Sequence, residues 1–88
     1  MLGELIEKEE IKYIGIIPAE QNHTKELQDK LLSAQRLGNE FKSKCEITFN
    51  TKEGPKTVFT TVWSVTEEYL QLKSGIHIPL SSLIEIDF

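Results

Sequence analysis

From Ser43 onward the apolar residues recur at every second position, in short runs separated by turn-forming residues. A period of two places alternate side chains on opposite faces of a strand, so this half of the chain is committed to β-structure. In Ser43–Asn50, Cys45, Ile47 and Phe49 share one side, and Lys44, Glu46 and Thr48 share the other. Thr51-Lys-Glu-Gly54 reads as a hairpin turn, with Gly54 free to take a positive φ. The next run, Lys56–Thr66, is apolar on both faces: Phe59, Trp63 and Val65 on one, Val58 and Val62 on the other. That pattern predicts one long, strongly bent strand, with the large side chains of Phe59 and Trp63 filling the interior. Glu67-Glu68 turns the chain, and Tyr69–Lys73 returns with Leu70 and Leu72 inward. After a tight turn at Ser74-Gly75, Ile76–Pro79 runs with Ile76 and Ile78 inward and stops where proline lacks a ladder donor. Leu80–Leu83 has the length of one helical turn, and Ile84–Phe88 makes the last strand.

The first half has a different period. From 19 to 38, Leu27, Leu31 and Ala34 lie on one helical stripe, widened by Leu32 and Leu37, while Glu20, Lys25, Asp29, Lys30 and Arg36 face water. Pro18 suits the position before a first turn, and Asn22 or Thr24 suits the N-cap. Gly38-Asn39 is expected to end the helix in a left-handed conformation. Residues 1–18 are less regular. Leu2, Leu5 and Ile6 have the spacing of a helical turn, and Ile11–Ile17 reads as a β-branched strand interrupted by Gly15. The whole is expected to be one α+β, mainly β domain over 1–88: an N-terminal helix over 19–38, then a five-stranded barrel over 42–88.

The charge balance bounds the partners. The net charge is −4, and the acidity sits in the front half, where eight acidic residues up to Glu40 face five basic ones. No overall basic field is available for non-specific nucleic-acid binding. A single cysteine, no long apolar run and an acidic N-terminus are the pattern expected of a cytoplasmic chain without a membrane span.

The order of four strands, a single turn and a fifth strand, together with LQLKSGIHIPLSSLIEIDF at 70–88, resembles the SH3-like and Sm-like small barrels. The Rof-type inhibitors of transcription termination share that general build. Leu37-Gly38-Asn39 and Thr60-Thr61-Val62-Trp63 also resemble a group of short bacterial proteins. The resemblance implies a fold and no residue roles. The loop signatures through which Sm proteins bind RNA and the aromatic groove of peptide-binding SH3 domains have no counterpart here.

Few residues are left for chemistry. His23 and His77 lack metal-ligand spacing, and Cys45, alternating with Ile47 and Phe49, reads as a core residue. Glu9-Glu10, Glu67-Glu68 and Glu85/Asp87 read as solvated carboxylates. No cofactor, no metal and no enzymatic activity is therefore expected. The one basic concentration is Lys42, Lys44, Lys52 and Lys56 around the first hairpin, a candidate edge for an acidic partner or RNA. Tyr69, on the outer side of its strand near Lys73 and His77, is a candidate recognition residue. These features make a protein-interaction module the first expectation, with a protein partner or a second copy as its ligand. Nucleic-acid binding through the lysine hairpin is the alternative.

Overall fold

The computed structural model describes residues 3–7, 10–11, 15–19, 24–73 and 75–87. Its elements are β1 (Glu4–Leu5), α1 (Thr24–Phe41), β2 (Cys45–Phe49), β3 (Lys56–Thr60), β4 (Val62–Val65), β5 (Tyr69–Leu72), β6 (His77–Pro79), a 3-10 turn at Leu80–Ser82, and β7 (Leu83–Asp87). The strands form two sheets, one ordered β1-β3-β2-β7 and one ordered β4-β5-β6.

This corrects the barrel expected from the alternation. Among the described residues there are seven strands in two open sheets, and the one helix follows a first strand instead of leading the chain. The break lies at Thr61. The expected single strand Lys56–Thr66 is two strands, and Thr60 is the last residue paired to β2. The Thr61 carbonyl accepts the Lys73 N–H at 3.0 Å, and the β5 ladder starts at Val62. α1 packs against both β4 and β7, one edge strand of each sheet, so a helix stands where closure between them would need strand pairing.

The core joins Leu27, Leu31 and Ala34 of α1 to Cys45, Ile47 and Phe49 of β2, and to Val58, Val62, Leu70, Leu72, Ile78, Leu83 and Ile86 of the other strands. The first hairpin sets the register: Phe49 faces Lys56 and Ile47 faces Val58. Val58 therefore shares the inward face, and Phe59 points out. In β4 the ladder passes from Val62↔Leu72 to Ser64↔Gln71, which leaves Trp63 as the extra residue of a bulge. Phe59 and Trp63 are 56% and 49% exposed, so neither fills the core as expected.

Other expectations hold in detail. Gly54 and Gly75 have φ of 100° and 89° in their turns. The Thr51 hydroxyl donates to the Gly54 carbonyl at 2.6 Å and accepts the Glu53 N–H at 3.1 Å, which fixes the hairpin loop. The 3-10 turn follows Pro79, whose carbonyl accepts the Ser82 hydroxyl at 2.7 Å.

The helix ends differently from the sequence reading. It runs through Gly38 and Asn39 to Phe41, and the left-handed residue is Lys42, with φ of 52°. Lys42 and Ser43 N–H groups close the end on the Gly38 and Leu37 carbonyls, at 3.1 and 3.2 Å. Gly38 is buried because the helix approaches β4 there: a Cβ on it would overlap the Val62 carbonyl oxygen. At the other end Ala19 is not helical, and Asn22 and His23 lie outside the described residues.

Residues of the N-terminal segment join the core. Ile11 is buried, and Ile6 and Ile16 pack against the core. Instead of the expected helical turn, Glu4 and Leu5 form a parallel strand on β3. The expected Ile11–Ile17 strand is a single bridge, Ile16 to Thr51, among the described residues, with 12–14 outside them. Main-chain bonds from Lys52 to Gly15 (2.8 Å), Ile17 to Asn50 (3.2 Å) and Ala19 to Ser81 (3.0 Å) lay this segment over the hairpin turn.

Candidate functional site

The candidate residues do not form one site: Lys42 is exposed just past the end of α1, away from the hairpin turn that carries Lys52. Lys52 is exposed on the hairpin turn, its stem lying across Gly15. Tyr69 stands on the outer side of β5, 42% exposed, with its ring edge-on to His77 at 5.9 Å between centroids. Lys44 places its ammonium 5.9 Å from the centre of the Phe59 ring, a cation–π arrangement.

Lys56 is not a surface lysine. Its side chain is 11% exposed, and its Nζ donates to the Glu4 carboxylate at 2.7 Å. That hydrogen bond, reinforced by the opposite charge, holds Glu4 below the usual carboxylate range and Lys56 above the usual lysine value. A residue 52 positions away thus engages one of the expected hairpin cations. The pair is a clasp between β1 and β3.

β1 and β3 also contribute to a groove of about 290 Å³ lined by Leu5, Ile6, Glu7, Lys44, Phe59 and Thr60. Its apolar members are Leu5, Ile6 and Phe59, of which Leu5 and Phe59 are more than half exposed. Sequence reasoning assigned Phe59 to the core and Leu5 to a helical turn, so it missed both. The hairpin register was the available signal for Phe59, because Ile47 opposite Val58 turns position 59 outward. A second groove of about 430 Å³ lies between α1 and the β4–β5 turn, over Leu31, Leu32, Val65 and Leu80.

The single cysteine lines neither groove. Cys45 is 3% exposed, and burial pushes its thiol from 9.0 up to about 11. The thiol is expected to be inert to Ellman's reagent in the folded protein and to react on unfolding. The sign of its pH effect follows from the same shift. The unfolded thiol ionises near 9 while the folded one stays neutral, so stability falls between pH 9 and about 11 by about 2–3 kcal/mol. Urea midpoints at pH 8 and pH 11 should show this loss in the native chain, and Cys45→Ala should lack that part of it.

Among the described residues no group of three or more His, Cys, Asp or Glu side chains is placed to hold a metal ion, and no helix is long and apolar enough to cross a membrane. No family model, curated protein or solved structure matches the chain.

Proposed function

We propose that this domain is a non-enzymatic protein-interaction module whose contact surface is centred on Phe59. The outward placement of Phe59 beside Leu5 and beneath the Lys44 ammonium carries the reading. An aromatic ring with an aliphatic neighbour and a cation at its rim is the composition of an interface centre, where aromatics are enriched. Phe59 contributes little to the core, so its size serves the surface. The hairpin offers weaker support for nucleic-acid binding, since Lys56 is engaged by Glu4 and the chain is acidic.

A photo-crosslinking phenylalanine analogue at position 59 tests this in native extract and in the pure protein. A discrete adduct from position 59, with a protein or with a second copy, is expected. The same analogue at the exposed Leu32 should give none. Equal adducts at both positions, or none at position 59, would overturn the proposal.

A further inference from the structure

The edge of β3 is covered by a very short strand. β1 pairs Glu4 with Lys56 and Leu5 with Thr57 in parallel register. Its Glu4 N–H reaches the Pro55 carbonyl at 3.4 Å and its Ile6 N–H the Thr57 carbonyl at 2.8 Å. The chain then leaves the edge: the Glu10 N–H bonds the Glu7 carbonyl at 2.9 Å, and the Glu10 carboxylate accepts the Glu7 N–H at 2.8 Å. Alternation along β3 aims the main-chain groups of Pro55, Thr57 and Phe59 at this same edge. Among the described residues the β1–β3 ladder stops at Thr57, one step short of Phe59.

The residues seated there display what the edge recognises. An extended backbone supplies N–H groups two residues apart. A carboxylate meets the ammonium of Lys56, whose side chain is mostly covered; among the described residues Glu4 is its hydrogen-bonded counter-charge, and Glu53 and Glu10 act on it only through their charge. An aliphatic side chain directly after the acid lies beside the Phe59 groove. Removing the acid takes away the hydrogen bond and the opposite charge that meet this ammonium, so the edge favours an acidic residue at that position. Glu4 itself is 70% exposed, so its side of the clasp opens readily to solvent.

We infer that the β3 edge from Pro55 to Phe59 is a docking site for an extended peptide of a partner in which an acidic residue directly precedes an aliphatic one, and that Gly3–Glu7 occupies it in cis. This is strand addition, in which main-chain hydrogen bonds give affinity and the side-chain contacts give specificity. It rests on the reading of the domain as an interaction module and names the mode of contact. The cis strand masks the edge, so a partner's apparent affinity is its intrinsic affinity multiplied by the fraction of time the edge is open.

The probe is a fluorescein-labelled peptide of residues 1–8 added to the full chain and followed by anisotropy. Glu4→Lys in the full chain sets like charges together and loosens the cis strand. That variant is expected to bind the peptide about tenfold or more tightly than the native chain. A peptide with its own Glu4→Lys change should bind neither. Comparable affinity for both chains, no binding to the variant, or equal binding of the altered peptide would overturn the proposal. If Glu4→Lys does not fold, Glu4→Gln and amide exchange replace it. The Ile6 amide should then exchange about tenfold faster while the Ile47 and Ile86 amides keep their protection. Unchanged Ile6 exchange, or acceleration of all three together, would overturn it. Loss of peptide binding with an intact crosslink from position 59 removes strand addition alone. Loss of the crosslink with intact peptide binding removes the Phe59-centred surface.

Discussion

Gly38→Ala is expected to lower stability by about 3 kcal/mol, against the direction that helix propensity sets. In an exposed helix interior the same change gains about 1 kcal/mol, because alanine loses less backbone entropy than glycine. Here the added methyl overlaps the Val62 carbonyl oxygen and crowds the Thr61 methyl. A carbonyl within a strand cannot rotate aside as a side chain would, so α1 has to lift from β4. Overpacking of this kind costs about 1–3 kcal/mol and occasionally more, and contact with main chain puts Gly38 at the upper end. For a domain of this size that is a fall of about 15 °C in melting temperature. Asn39→Ala, one residue on and exposed, is the control and should leave stability unchanged or slightly raised. A neutral or stabilising Gly38→Ala in thermal melts would show that the helix does not approach β4 this closely.

Phe49→Ala should be the most damaging single truncation, at about 3–5 kcal/mol. Among the described residues Phe49 is the largest fully buried side chain, opposite Lys56 on one strand and Leu83 on the other, so no neighbour can collapse into its volume without breaking register. Against a total stability of about 5–15 kcal/mol, that loss leaves a measurable unfolded fraction at room temperature. Trp63→Ala, which removes a bigger side chain, should cost no more than about 1 kcal/mol, because the indole is half exposed on a bulge. Urea titrations of the two variants decide it. A Trp63→Ala cost equal to that of Phe49→Ala would return the indole to the interior.

That contrast locates where the sequence was readable. Turns carried by single residues were legible because their chemistry is local: Gly54 and Gly75 take positive φ, and Pro79 ends its strand. One-sided elements were legible too, as Leu27, Leu31 and Ala34 on the helix and Leu70 and Leu72 on β5 show. The run from Lys56 to Thr66 was not, because both its faces are apolar and alternation alone does not say which is inside. Side-chain size favoured Phe59 and Trp63, but the hairpin register chose Val58, and the β4–β5 ladder with its bulge at Trp63 chose Val62. Gly38 stands where a helix end would, and its reason is a strand met only in the fold. Of the candidate site, Lys44 and Tyr69 were found as surface residues. The Glu4–Lys56 clasp and the Leu5–Phe59 groove join segments with no local signal connecting them.

The place of β7 in its sheet has a consequence for synthesis. β2 lies between β3 and β7, with Ile47 facing Ile86 and Phe49 facing Leu83. The first hairpin can pair soon after it leaves the ribosome, since its contacts are near in sequence. The strand on the other side of β2 is made only after β3, β4, β5 and β6. Until Leu83 and Ile86 emerge, one side of β2 has no strand beside it and its apolar face stays wet. A nascent chain stalled before that point exposes an unpaired edge rich in β-branched and aromatic residues, the kind of surface that chaperones capture.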